Sequence, residues 1–148
     1  MSEVELAEPV RTRTRAARSQ APVFAVIALG GGLGALARFG LARALPTHPG
    51  HFPWGTFTAN VVGCFLIGVL MVLITEVWSA HRLVRPFLGV GFLGGFTTFS
   101  TYAVEIRGLL EPGEVVLAFI YLAGTLVGAM IAVIVAVWLT RRLTGAAR

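Results

Sequence analysis

Apolar positions along the 148-residue chain gather into four long blocks, about 23–45, 54–78, 85–110 and 115–139, with short polar stretches between them. A helix rising 1.5 Å per residue needs about 20 apolar residues to cross a hydrocarbon layer about 30 Å thick, and each block meets that length. The pattern therefore predicts an all-α integral membrane protein with four transmembrane helices. The third block departs from a lipid-facing composition. Its stretch GVGFLGGFTTFSTYAVE, residues 89–105, sets Gly94 and Gly95 ahead of Thr97, Thr98, Ser100 and Thr101. Paired glycines weaken a helix by roughly 1 kcal/mol each, and the hydroxyls can bond backbone groups released from the i to i−4 ladder. The third helix is thus expected to be broken at its centre, which membranes tolerate only where the backbone is buried in protein or lines a wet cavity. A kinked helix packing closely through its glycines is the plainer alternative.

Polar residues in the other blocks are few. The first carries GGGLGALARFG at 30–40, where Gly30 and Gly34, like Gly31 and Ala35, have the small-xxx-small spacing of close helix contact. No strand precedes these glycines, so they do not read as a dinucleotide-binding turn. Arg38 lies near enough to the end of its block to snorkel to the interface, or it serves a function inside the membrane. The second block opens at Trp54, an interfacial marker, and holds Asn60, the one asparagine of the chain, on a face with Thr56, Gly63 and Ile67. Asn60 either bonds a neighbouring helix or lines a pore. In the fourth block Tyr121 and Thr125 stack one turn apart beside a Gly124/Gly128 surface. His48 and His51, in the loop before Trp54, have no carboxylate or cysteine beside them to complete a metal site.

Composition sharpens the class. Hydrophobic residues make up 56% of the chain and charged ones 13%, and the net charge of +5 comes from arginine against glutamate alone. The arginines flank apolar blocks, so they are read as orientation signals and not as a nucleic-acid surface. A single cysteine, Cys64, excludes an internal disulfide and reads as a small packing residue. Residues 1–22 are expected to form a disordered basic N-terminal tail, 23–140 the membrane domain and 141–148 a C-terminal tail. An even helix count places both tails and the loop after the second helix on one side. That side holds Arg11, Arg13, Arg15, Arg18, Arg82, Arg85, Arg141, Arg142 and Arg148, against Arg43 and Arg107 opposite. Positive residues near membrane ends stay in the cytoplasm, so both termini are expected inside.

The blocks lack the apparatus of an enzyme: no Ser, His and acid combination, no phosphate-cradling loop and no pair of carboxylates in one block. They contain neutral donors instead: Asn60, Thr97, Thr98, Ser100, Thr101, Tyr121 and Thr125. Such a set suits an anion that must shed water without being held tightly, and the positive ring edges of Phe96 and Phe99 suit it too.

The motifs GGGLGALARFG at 30–40, GTFTANVVGCFLIG at 55–68 and GFLGGFTTFSTYAVE at 91–105 together resemble the Fluc (CrcB) family of fluoride ion channels. The resemblance covers roughly residues 23–140. It implies passive fluoride export from the cytoplasm across the cell inner membrane, conferring fluoride resistance, through an antiparallel, dual-topology type dimer with two pores between its subunits. It also implies a pore amide at Asn60, pore aromatics at Phe99 and Tyr102, a polar track at Tyr121 and Thr125, and the family's first-helix arginine at Arg38. Ser100 and Thr101 complete the anion-binding set. A structural Na+ at the dimer interface would be held by the backbone carbonyls of Gly94 and Thr97. Two residues depart from the family pattern: Tyr102 stands where a phenylalanine is usual, and Ala129 where the polar track would continue. They leave open whether both pores of a homodimer would conduct, while the arginine bias favours pairing with an oppositely oriented paralogue, the antiparallel homodimer being the alternative. A small proton-coupled multidrug transporter and a non-conducting membrane assembly subunit are the competing readings. The transporter would need a carboxylate deep in the membrane, whereas Glu76 and Glu105 lie towards block ends.

Overall fold

The structure, a computed structural model, describes the backbone of residues 10–111 and 113–145, with side chains from residue 20 onward. Helix α1 covers Val10–Ala44, and α2 covers Trp54–Val72 with a π-helical extension over Leu73–Val77. The third span is composite: a π-helical stretch Arg85–Leu93, the single turn α3 at Gly94–Phe96, and α4 at Ser100–Leu110. Helix α5 runs over Val115–Thr144. Four segments are long and apolar enough to cross a bilayer: Gln20–Ala44, Trp54–Val77, Arg85–Leu110 and Val115–Thr144. The protein is a multi-pass membrane protein.

Two expected boundaries move. Helical backbone begins at Val10, within the region expected to be a disordered tail, because Arg, Ala and Gln between residues 11 and 21 are good helix formers continuous with the apolar block. The first nine residues lie outside the described ones. At the other end α5 continues to Thr144, past the expected stop at 139, with Arg141 and Arg142 in its last turn where the helix dipole favours cations. Gly145, in left-handed conformation at φ 70°, closes it.

The first and third spans touch backbone to backbone. A β-carbon at Gly34 would run into the carbonyl of Phe92, one at Gly30 into that of Phe87, and one at Gly95 into that of Gly31. These glycines give both spans flat surfaces that gain close dispersion contact, the driving force left when lipid is as apolar as leucine. The second and fourth spans pair likewise, Gly68 lying against Ala136 and Val133. Gly128 packs on Val61 and Phe57, whereas Gly124, its expected partner in a contact surface, faces open space.

The buried interior is small. Tyr102, Leu109, Ala118 and Tyr121 form its centre, with Phe52, Phe57 and Ile106 against it. The Phe52 and Tyr121 rings meet edge to face at 5.2 Å, as do those of Tyr102 and Tyr121 at 5.1 Å. Many large apolar residues point outward instead, including Leu29, Leu36, Phe119, Leu126, Met130 and Ile134. That surface suits lipid or another membrane helix, not water.

Candidate functional site

The third span is interrupted at Thr97–Phe99, beyond the paired glycines that were expected to break it. Gly94 is helical at φ −64° and ψ −35°, whereas Thr97 is extended at φ −78° and ψ 160°. The cause is side-chain competition for the backbone. Asn60, from α2, accepts the N–H of Thr98 on Oδ1 at 2.8 Å and donates Nδ2–H to the Thr98 carbonyl at 3.0 Å. Three residues on, the N–H of Thr101 goes to Thr98 Oγ1 at 3.2 Å, so Thr98 caps α4. In an unbroken helix these two N–H groups would bond the carbonyls of Gly94 and Thr97. Both carbonyls thereby lose their helical partners.

Below the interruption lies a cavity of about 230 Å³, lined among others by Asn60, Thr98, Phe99, Tyr102 and Thr125. Three features set its chemistry. Asn60 commits one amide hydrogen to Thr98 and keeps a second. Thr125, only 5% exposed, has a hydroxyl with no hydrogen-bond partner among the described residues. Phe99 is 80% exposed, and its ring lies 5.8 Å from that of Tyr102. The Tyr102 hydroxyl itself donates to the Leu122 carbonyl at 2.7 Å, so it ties α4 to α5 and leaves an aromatic edge for the cavity. Cys64 and Ala129 also line the wall. The site therefore presents neutral donors and aromatic edges, with one buried donor lacking an acceptor.

Other sequence-predicted residues lie elsewhere. Ser100 and Thr101 turn to the break itself, their hydroxyls 3.4 and 3.1 Å from Thr98 Oγ1, the second accepting from it. Arg38 reaches across from α1 and donates Nε–H to the Gly95 carbonyl at 3.2 Å, so in this chain it supports the turn before the break. Tyr121, fully buried, donates its hydroxyl to Glu105 Oε2 at 2.6 Å, and Thr56 donates to Glu105 Oε1 at 2.9 Å. Sequence reasoning gave Glu105 no role beyond an acid towards the end of its block. A signal was present: it lies one turn beyond Thr101 on the same face, inside an apolar span, while Thr56 shares a face with Asn60.

Residues 25–137 match the family model described as CrcB-like protein, Camphor Resistance (CrcB). The chain is 60% identical over 126 residues, 85% of its length and 90% of the relative's, to a protein of Nocardia farcinica named fluoride-specific ion channel FluC 2. It is 61% identical over 118 residues, 80% of this chain and 74% of the relative, to a FluC 2 of Streptomyces avermitilis. Identity to a FluC 1 of Streptomyces coelicolor is 58% over 125 residues, covering 84% and 81% of the two chains.

Proposed function

The chain belongs to the CrcB-like family, and from that premise we propose that it is a fluoride-selective channel that lets fluoride leave the cytoplasm passively. The observation that carries the reading is the Thr125 hydroxyl, buried without a partner in the cavity wall that also holds Asn60. Buried polar groups are nearly always hydrogen-bonded, so an orphan donor beside a free amide hydrogen calls for an acceptor from outside. A small desolvated anion is such an acceptor. Neutral donors hold it by hydrogen bonds alone, tightly enough to replace water and loosely enough to release it.

The wall of the cavity is incomplete in one chain, since Phe99 faces outward. A second chain across that face would close the cavity, and the antiparallel arrangement implied by the resemblance to the channel family would bring two such cavities together. The arginine bias favours an oppositely oriented paralogue as that partner, with the same chain inverted as the alternative. Relatives named FluC 2 and FluC 3 both occur in Streptomyces avermitilis. The Gly94 and Thr97 carbonyls, freed of their helical donors, fit a Na+ ion, a hard cation that takes neutral oxygen ligands. Two chains meeting there would supply four such oxygens, and the ion would fix the two breaks against each other.

Fluoride release from liposomes loaded with fluoride or chloride tests this reading. Rapid fluoride release with negligible chloride release is expected, from the chain alone or with its paralogue. Electroneutral exchange of protons for an organic cation would replace the channel by a transporter, and no flux in either arrangement would leave an assembly subunit.

A further inference from the structure

Between the second and third spans the structure assigns a second site, unrelated to the cavity at Asn60: we infer that His81, Arg82 and Arg85 hold the phosphate of an anionic phospholipid. These residues line a concavity of about 210 Å³ together with Ile74, Thr75 and Ala80. Its ligand chemistry follows from what each group can offer. His81 Nδ1 accepts the N–H of Leu83 at 3.3 Å, which puts the proton of a neutral imidazole on Nε2 and leaves that nitrogen a donor. The Thr75 hydroxyl commits its hydrogen to the Met71 carbonyl at 2.6 Å. Two guanidinium groups and one imidazole N–H remain, all donors.

No carboxylate neutralises them among the described residues. The nearest acid in sequence, Glu76, is held by Arg141, whose Nε lies 3.0 Å from both of its oxygens. The other ion pair, Arg107 with Glu111, lies at a different loop. The π-helical stretch beginning at Arg85 adds the positive end of its dipole, and Pro86 has no N–H to be satisfied there. Guanidinium forks match phosphate oxygens in pairs, so a phosphate is the anion that suits this set.

The depth of the pocket identifies the source of the phosphate. Its lining runs from Ile74 and Thr75, in the last turn of the second span, through the loop to Arg85, where the third begins, and Trp78 in the same stretch faces outward. That is headgroup level. The arginine bias puts this loop on the cytoplasmic side, where the leaflet is rich in anionic lipid. Ile74 and Ala80 in the wall can meet the upper acyl chain while the arginines take the phosphate.

The test uses the full chain in a neutral detergent and follows its thermal midpoint. Dioctanoyl phosphatidylglycerol should raise the midpoint by several degrees, because a ligand that binds only the folded form stabilises it. Dioctanoyl phosphatidylcholine should leave it unchanged. The shift should vanish in Arg82→Gln/Arg85→Gln and survive in Arg142→Gln. If the double variant does not assemble, Arg82→Gln and Arg85→Gln are measured singly, and each should at least halve the shift. A full shift in these variants, or an equal shift with phosphatidylcholine, overturns the site. An equal shift with inorganic phosphate overturns the lipid assignment by showing a soluble anion to be sufficient.

Discussion

Asn60 has two tasks that a single substitution can separate. Its Oδ1 holds the Thr98 N–H, and its amide nitrogen faces both the Thr98 carbonyl and the cavity. Asn60→Asp keeps the acceptor and replaces the donor by a group that repels an anion when ionised. Fluoride efflux should collapse while the protein still elutes at its native assembly size; a wild-type rate in assembled protein would make the amide purely structural. Thr125→Val has an unusual sign. Removing a buried hydroxyl that has no partner should leave stability equal or higher, yet cost the anion one hydrogen bond of about 1 kcal/mol, or roughly a fivefold to tenfold loss of flux. Thermal unfolding and efflux from the same preparation check both halves. Tyr102→Phe loses only the bond to Leu122, so about 1 kcal/mol of stability should go while the aromatic edge, and the flux, remain. Asn60 and Thr125 could be singled out from the sequence because each is a polar exception in an apolar block, whereas the pore roles of Phe99 and Tyr102 came from the resemblance to the channel family. Glu105 was noticeable as an acid in an apolar span, but its partners were not, since Thr56 and Tyr121 arrive from two other spans.

At the level of elements, the four spans were legible because membrane length and apolarity are properties of contiguous sequence. The position of the break was not. Helix propensity points at Gly94 and Gly95, but those residues are helical, and their lack of side chains is used for contact with α1. The interruption lies where Asn60 and Thr98 outbid the backbone ladder, a tertiary effect that no local propensity contains. A contrast between glycines checks this division. Gly34→Ala and Gly95→Ala should each cost about 1–3 kcal/mol or prevent assembly, because the new methyl meets backbone carbonyl and not a movable side chain. Gly124→Ala, in a helix with nothing within 4 Å, should be neutral or stabilising by up to about 1 kcal/mol. Denaturation of the purified variants in matched micelles would show the ranking, and equal effects would refute the close contact of the first and third spans.

For the whole molecule, the small interior and the broad apolar exterior leave a surface that lipid or a second chain can cover. Assembly should therefore respond to what lies between chains. If Na+ sits between the freed carbonyls of Gly94 and Thr97, prolonged exchange into a large organic cation should weaken the proposed dimer, measured by subunit exchange between differently labelled preparations; an unchanged exchange rate in fully exchanged protein would remove the ion from the account. A topology reporter at the C-terminus tests the arginine bias, with cytoplasmic signal alone expected and equal populations on both sides contradicting it. The bond pair between Asn60 and Thr98 also bears on how the chain is made. One amide giving and receiving along the same stretch of backbone is how neighbouring strands pair, so the second span acts as a template on which the third is opened. A third span entering the bilayer before it meets Asn60 has only its own ladder to satisfy Thr98, and enters as a continuous helix. The broken form therefore depends on the second span, which brings Asn60 to Thr98, and not on the third span alone.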